Sequence, residues 1–156
     1  MFPPDFIVAA RIGSNLSIHS KKRLLEVPGE YLADGLPSVT PREIFDRLLE
    51  RERLGSTGLG QGIALPHARV PKAERAIGAF VSLESGIDFD AVDGQPVDLA
   101  FALLVPETAT EEHLQLLAKL ATMFSDEKLR ERLRQAANPD QLLQVIQQWE
   151  ALPEPA

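Results

Sequence analysis

The sequence predicts one α/β domain, spanning residues 5–150, in which helices flank a mixed β-sheet. Residues 77–83 and 97–105 are nearly continuous apolar runs, which is typical of central strands that are covered on both faces. Segments with helix-start signals lie before and after these runs, and this pattern favours a sheet covered by helices. The length of 156 residues and the hydrophobic fraction of 44% fit a single core.

The N-terminal part is predicted to contain a short strand and an interrupted helix. Residues 16–18 are interpreted as an edge strand, and Ser20 is placed to cap a helix through KKRLLE. Pro28 and Gly29 are predicted to end or kink this helix, because proline lacks a backbone N–H and clashes with the preceding turn.

A second helix is predicted to begin after Thr40. The Thr40 hydroxyl can accept a hydrogen bond from the third helical N–H, Pro41 suits the first helical position, and Glu43 can reach back to the cap. The helix is expected to end near Arg53. Its apolar stripe comprises Ile44, Phe45, Leu48 and Leu49.

The middle of the chain is predicted to form a loop and three strands. Residues 55–62, GSTGLGQG, are interpreted as a loop because they hold four glycines. A short strand over residues 63–65 is expected to end at Pro66. Asp93 and Gly94 predict a turn between the two long apolar strands.

The C-terminal third is predicted to be helical. Thr110, Ser125 and Asn138 are each placed to cap a helix, and Pro139 follows the last of these caps at a favourable position. Residues 151–156 are predicted to be a frayed tail.

The composition excludes several classes of function. The net charge of −7 disfavours binding to nucleic acid, because the only basic cluster is KKR at residues 21–23. No apolar run approaches the ~20 residues that cross a bilayer, and the start lacks the basic region of a signal peptide, so we expect a cytoplasmic protein without membrane insertion. The absence of cysteine excludes disulfides, thiolate catalysis and cysteine-based zinc sites.

Three histidines are candidates for chemistry, and His67 has the most informative context. A neutral imidazole is plentiful near pH 7 and is nucleophilic. His67 follows a short strand and Pro66, which restricts the local backbone, and the small Ala68 after it leaves room for a partner. A lone histidine is more often structural, and His19 is interpreted in that way.

The glycine loop matches neither the dinucleotide fingerprint nor the Walker loop. Gly58, Gly60 and Gly62 nevertheless allow backbone N–H groups to converge on an anion, and Ser56 and Thr57 add hydroxyl donors. Beside the histidine, such a loop could hold a phosphoryl group without a metal or cofactor. The alternative interpretation is a flexible turn.

Arg51 and His113 are two further candidates. Arg51 lies near the end of the helix before the loop, where its guanidinium could pair with phosphoryl oxygens or simply be solvated, and Arg53 competes for the inward position. His113 lies in the first turn of a helix, where the positive helix end favours a neutral ring that donates to an anion; the alternative is a surface histidine. The histidine spacing does not indicate a metal site.

The segment RERLGSTGLGQGIALPHARV resembles the active-site segment of the fructose- and mannitol-type IIA proteins of the bacterial phosphotransferase system. The segment IDFDAVDGQPVDLAFALLVP, followed by HLQLLAKLA, is similar to the nitrogen-regulatory branch of that family. The resemblance extends from about Ser17 to Trp149. It implies the fold of that family, a mixed sheet flanked by helices.

The resemblance implies that His67 is the phosphorylated residue and that Arg51 and His113 are the active-site arginine and second histidine. It places Ser56 and Thr57 in the loop that lines the site. It also implies that the donor is a small histidine phosphocarrier of the HPr or NPr type, charged by an enzyme that uses phosphoenolpyruvate, and that no cofactor takes part.

The sequence departs from the family pattern at two places. Ala68 and Arg69 replace a Gly-Lys pair of many nitrogen-branch members, and Pro28 and Gly29 break a helix that is continuous in relatives. Because no permease is fused to the domain, the expected output is regulation of a partner such as a transporter or a kinase. One alternative is a IIA component that passes phosphate to a sugar-specific IIB protein. The other is a non-catalytic interaction module.

Overall fold

The computed structural model describes residues 2–108 and 110–150, without the side chain of Thr110, and these residues form six strands, five α-helices and a short 3-10 turn. The strands are β1 (Ile12–Leu16), β2 (Gly58–Gly60), β3 (Ile63–Ala64), β4 (His67–Val70), β5 (Ile77–Ile87) and β6 (Val97–Pro106). The helices are α1 (Lys21–Asp34), α2 (Pro41–Arg53), α3 (Thr110–Phe124), α4 (Glu127–Gln135) and α5 (Pro139–Glu150).

The strands form one mixed sheet in the order β1-β5-β6-β3-β2, and β4 also pairs with β6. The two long apolar strands β5 and β6 pair antiparallel in the middle, as their sequence predicts. β1 runs parallel to β5, and β3 and β4 run parallel to β6. β1 is an edge strand, as expected, but it spans Ile12–Leu16 rather than residues 16–18.

Helices cover both faces of the sheet. Alternate side chains of β6 point to opposite sides, because successive residues of a strand face opposite ways. Ala100, Ala102 and Leu104 belong to a core cluster with α1 and α2, whereas Leu99, Phe101, Leu103 and Val105 belong to a second cluster with α3, α4 and α5. The predicted α/β domain is therefore confirmed. Among the described helices, none has the length and apolar character needed to cross a membrane.

The sequence predicts that Pro28 ends or kinks α1, and the first of these alternatives is wrong, because the helix continues through Pro28. Pro28 and Gly29 are both buried, and a Cβ added at Gly29 would lie 3.3 Å from the carbonyl oxygen of Pro41, so this glycine lets α2 approach closely. An internal proline costs about 3 kcal/mol, but burial of a leucine side chain contributes roughly 1.5–3 kcal/mol. α1 buries three leucines almost completely, namely Leu24, Leu25 and Leu32. Tertiary packing therefore outweighs the proline penalty.

Two short strands replace parts of the chain that the sequence suggested were irregular. Within the predicted loop over residues 55–62, β2 pairs antiparallel with β3. The turn between them uses Gln61 and Gly62, which have φ values of +61° and +82°. β4 was also missed, because a strand of four residues is too short to show a clear alternation.

The helix caps follow the sequence at three places and differ at one. The side chains of Ser20, Thr40 and Asn138 each accept a hydrogen bond from the backbone N–H three residues later, as predicted. The cap of α4 is Asp126, whose carboxylate accepts from two backbone N–H groups of the first turn. The Ser125 hydroxyl donates instead to a carbonyl of the preceding helix, so its predicted capping role is wrong.

Two further expectations about helix ends have different outcomes. The reciprocal hydrogen bond expected from Glu43 is replaced by an ion pair, because its carboxylate lies 3.8 Å from the ammonium group of Lys72. The predicted cap at Thr110 and the predicted tail over residues 151–156 lie outside what the structure describes.

The two candidate caps of α4 give a direct test of this local structure. We expect Asp126→Ala to lower the free energy of unfolding by about 0.5–2 kcal/mol, because two backbone N–H groups lose their acceptor. Ser125→Ala should cost less, since it removes no acceptor from α4. Urea unfolding followed by circular dichroism compares the variants, and a larger loss in Ser125→Ala would contradict the assignment.

Candidate functional site

Three candidate side chains converge from three elements. Arg51 lies in the last turn of α2, His67 is the first residue of β4, and His113 lies in the first turn of α3. The Nε atom of Arg51 is 3.3 Å from Nε2 of His67. The ring centroids of His67 and His113 are 5.3 Å apart, with the rings nearly perpendicular. The structure therefore brings all three together.

The backbone fixes the protonation pattern of the half-buried His67 ring. Its Nδ1 atom lies 2.8 Å from the carbonyl oxygen of Leu65. A carbonyl oxygen only accepts hydrogen bonds, so Nδ1 carries the proton in the neutral ring. The lone pair then lies on Nε2, which accepts the hydrogen bond from Arg51. Of the two nitrogens of the neutral His67 ring, only Nε2 can thus accept a hydrogen bond or a further group.

Arg51 is the arginine that faces the histidine. Its Nε–H donates to His67, and its Nη1 donates to the carbonyl oxygen of Gly55, 2.9 Å away, just beyond the end of α2. Arg53, two residues later, is exposed. A guanidinium that lies against Nε2 is placed to pair with the oxygens of an anionic group bound to that nitrogen.

A buried carboxylate holds the chain that follows Arg51. Glu52 accepts hydrogen bonds from the backbone N–H and from the hydroxyl of Thr57, the latter at 2.6 Å. It also forms an ion pair at 2.9 Å with Lys21. These donors compensate the buried negative charge of Glu52. The contacts of Glu52 with Thr57 and Lys21 therefore fix the end of α2 that carries Arg51. This network was not predicted from the sequence, since Glu52 lies between two arginines at a helix end with the composition of a solvated surface.

The hydroxyl groups of Ser56 and Thr57 are engaged elsewhere. Ser56 Oγ donates to the carbonyl oxygen of Phe89, and the buried Thr57 donates to Glu52. The N–H of Gly58 donates to Ser56 Oγ. The expectation that these hydroxyls supply free donors for an anion therefore does not hold in this structure. They connect the loop to its neighbours.

Gly60 and Gly62 lie at a distance from the histidine. Gly62 accepts hydrogen bonds at the level of Asp98 on β6, whereas His67 is aligned with Leu103 on the same strand. Five residues of extended chain span roughly 16 Å. The two glycines therefore shape the hairpin turn, and the predicted anion-binding loop beside His67 is not formed by them.

His113 is buried and neutral near pH 7. Burial lowers the pKa of its ring to about 4, and the nearby charges of His67, Arg69 and Arg51 act in the same direction. Burial also lowers the pKa of His67, with a further contribution from the positive charge of Arg51. Both rings are thus held in the neutral form, which has a free lone pair.

Two remaining points concern residues outside this group. His19 is exposed and lies 3.0 Å from the hydroxyl of Ser17. Within residues 2–108 and 110–150, no three His, Asp or Glu side chains are grouped so that they could hold a metal ion. Arg51, His67 and His113 themselves bring together two imidazoles and a guanidinium, and a guanidinium can pair with the oxygens of an anionic group.

The class of protein is shown by the match of its sequence to a family model. Residues 5–149 match the family model described as phosphoenolpyruvate-dependent sugar phosphotransferase system, EIIA 2. The chain belongs to this family, and it is a component of a phosphotransferase system.

Within the family, the chain is similar to nitrogen regulatory proteins. It is 49% identical over 127 residues to the nitrogen regulatory protein of Pseudomonas aeruginosa, covering 81% of this chain and 82% of the relative. It is 45% identical over 144 residues to that of Escherichia coli K12, covering 92% and 88%. The crystal structure of IIA-Ntr from Neisseria meningitidis superposes with a TM-score of 0.86 at 42% identity, covering 90% of this chain and 96% of that one.

Proposed function

We propose that the protein accepts a phosphoryl group on Nε2 of His67 from the phosphohistidine of a small phosphocarrier of the HPr or NPr type. The observation that carries the proposal is the pair of hydrogen bonds on this ring. Leu65 fixes the proton on Nδ1, and the lone pair of Nε2 faces Arg51. Membership of the phosphotransferase family supports the same chemistry.

The transfer step requires no cofactor. The Nε2 lone pair attacks the phosphorus atom in line, the N–P bond of the donor phosphohistidine breaks, and the donor ring recovers its lone pair. The acceptor ring becomes cationic while it keeps the Nδ1 proton, which the Leu65 carbonyl stabilises. Arg51 and His113 stabilise the charge that spreads over the three transferring oxygens.

The output of the phosphorylated protein is proposed to be regulation of partner proteins, such as a transporter or a kinase, in the cytoplasm, where phosphoenolpyruvate is available. A phosphoryl group adds about −1.5 to −2 charges beside Arg51 and the exposed Arg69. Such a change alters the surface that a partner contacts. The printed names of the relatives, nitrogen regulatory protein, support a regulatory output.

A second candidate is transfer of the phosphate from His67 to a sugar-specific IIB protein. The family model favours it, because its description refers to a sugar phosphotransferase system. The acceptor chemistry is the same in both cases, and only the recipient differs. Loss of label from the phosphorylated protein on addition of a IIB protein would select this candidate.

The proposal is tested by incubation with phosphoenolpyruvate, the enzyme that uses it and the phosphocarrier. We expect label that depends on the phosphocarrier and that is labile in acid but stable in base, as a phosphoramidate is. Absence of label would contradict the proposal and favour a non-catalytic interaction module. Label that is stable in acid would indicate a hydroxyl acceptor such as Ser56 or Thr57.

The pH dependence of acceptance follows from the lowered pKa of His67. Only the neutral ring has a lone pair on Nε2, and the pKa lies below the ordinary value of 6.5 because of burial and the charge of Arg51. We therefore expect the rate to fall to half of its maximum at a pH below 6.5 rather than at the ordinary value of the imidazole pKa. The rate is measured at each pH with the stability of the donor controlled. A half-maximal rate above pH 6.5 would contradict this electrostatic environment.

A further inference from the structure

Arg69 lies beside the site without a part in the transfer step described above. It is on β4, two residues after His67, and successive residues of a strand face opposite ways. Ala68 and Val70 are buried in the core, whereas the side chains of His67 and Arg69 both lie on the other face of the strand. The strand thus places an exposed guanidinium on the same side as the nucleophile.

The contact of Arg69 with His113 determines the tautomer of that ring. Arg69 Nε lies 3.3 Å from Nδ1 of His113. A guanidinium has donors only and stays protonated, so Nδ1 of His113 must be the acceptor. In a neutral ring the proton then lies on Nε2, because the hydrogen bond of one ring nitrogen sets the state of the other.

The Nε2 atom of His113 is a buried donor that the protein itself leaves unused. Within the part of the chain that the structure describes, this atom has no hydrogen-bond partner. Buried polar groups normally have one. The rings of His67 and His113 pack edge to face. An oxygen of a phosphoryl group on His67 is therefore close to this N–H donor, and its negative charge makes it a suitable acceptor.

We propose that Arg69 is a positioning residue that holds His113 in the tautomer with the proton on Nε2, so that this donor is ready for the phosphoryl group on His67. The inference rests on the proposed function of His67 as the acceptor. It assigns to Arg69 an effect that passes entirely through the ring of His113 and requires no contact of Arg69 with the phosphoryl oxygens.

The first test observes the ring of His113 directly and needs no phosphoryl donor. In protein labelled with ¹⁵N-histidine at about pH 7.5, where both rings are neutral, we expect Nε2 of His113 to be protonated and Nδ1 to show the shift of a hydrogen-bonded acceptor. Arg69→Met should move both ring nitrogen shifts toward the average of the two tautomers. A proton on Nδ1 in the parent protein, or unchanged shifts in the variant, would overturn the inference.

The second test measures whether Arg69 acts through His113. Single-turnover rates at saturating phosphocarrier are compared for Arg69→Met, His113→Ala and the double variant. By analogy with the groups that orient metal-bound histidines, whose loss costs about 10- to 100-fold, we expect at least a tenfold slower rate in Arg69→Met. In the His113→Ala background, Arg69→Met should cause no further slowing, because the ring through which Arg69 acts is absent. The effects of the two single substitutions on the rate are then not additive.

The outcome of this cycle separates positioning from direct action. An equal slowing by Arg69→Met in both backgrounds would show that Arg69 contacts the phosphoryl group or the donor itself, and it would overturn the inference. Arg53→Met is the matched control, because Arg53 is also exposed and lies two residues from Arg51. It should leave the rate at saturating phosphocarrier unchanged, and slowing equal to that of Arg69→Met would indicate a general charge effect.

The two tests also keep this inference distinct from the proposed function. If the parent protein takes no label but the ring shifts of His113 respond to Arg69→Met, the acceptor chemistry fails while the positioning contact stands. If the parent protein labels normally and the cycle is additive, the acceptor chemistry stands and the role of Arg69 fails.

Discussion

Replacement of His67 by alanine is expected to abolish phosphorylation by the phosphocarrier. The substitution removes Nε2, the ring nitrogen whose lone pair faces Arg51 while Nδ1 keeps the proton. Incorporation of label is followed over time from the phosphorylated phosphocarrier. His19→Ala is the matched control, because His19 is exposed and its ring lies against Ser17 rather than in the site. It should label at the rate of the parent protein.

The opposite results would identify a different acceptor. Full labelling of His67→Ala would contradict the assignment of the nucleophile. Complete loss of label in His113→Ala, with labelling retained in His67→Ala, would mean that the second histidine accepts the group. The same melting temperature in the variants and the parent protein confirms that a loss of label is chemical rather than a loss of fold.

Replacement of Arg51 or His113 by alanine is expected to slow transfer without removing the acceptor. Loss of one preorganised donor that stabilises developing charge typically costs on the order of 10²–10³ in rate. Arg51 lies 3.3 Å from the nucleophilic nitrogen, and His113 is buried with its ring against that of His67. Single-turnover rates at saturating phosphocarrier measure the effect, and the final extent of labelling should be unchanged.

Arg53→Ala is the control for Arg51→Ala, because it removes the same charge from an exposed position at the same helix end. It should leave the rate at saturating phosphocarrier unchanged. Equal rates for Arg51→Ala and the parent protein would contradict the role of the guanidinium. Equal slowing by Arg51→Ala and Arg53→Ala would indicate that net charge, rather than the contact with His67, governs transfer.

The parts of the fold that the sequence predicts correctly depend on interactions or patterns among residues that are close together along the chain. The caps at Ser20, Thr40 and Asn138 each need a side chain and an N–H three residues apart, and the central strands need only continuous apolar runs. The path of the chain through Pro28 instead depends on packing of α1 against α2. No local pattern encodes that packing, so the helix break was wrongly predicted.

The candidate site, like the fold, was predicted correctly only in part. The segment around His67 indicated that histidine and Arg51, the position of His113 in the first turn of a helix indicated the second histidine, and the structure brings these three together. Gly60 and Gly62 were predicted to lie beside His67 because they are close to it in sequence. The extended chain after the β2–β3 hairpin instead places His67 at a distance from them.

The supporting contacts could not be predicted, since each joins residues that are distant in sequence. Lys21 reaches Glu52 from another helix, and Arg69 reaches His113 from a strand. Charged residues of this kind are usually solvated at the surface, and only the folded structure distinguishes those that also contact a specific partner.

The most direct test of the central claim is identification of the phosphorylated atom. Protein labelled with ¹⁵N-histidine is phosphorylated by the phosphocarrier, and one-bond coupling between ³¹P and ¹⁵N identifies the nitrogen that carries phosphorus. Because Nδ1 of His67 is bound to the carbonyl of Leu65, we expect coupling only to Nε2 of His67. Coupling to Nδ1 of His67, coupling to either nitrogen of His113, or a ³¹P signal without nitrogen coupling would contradict the claim.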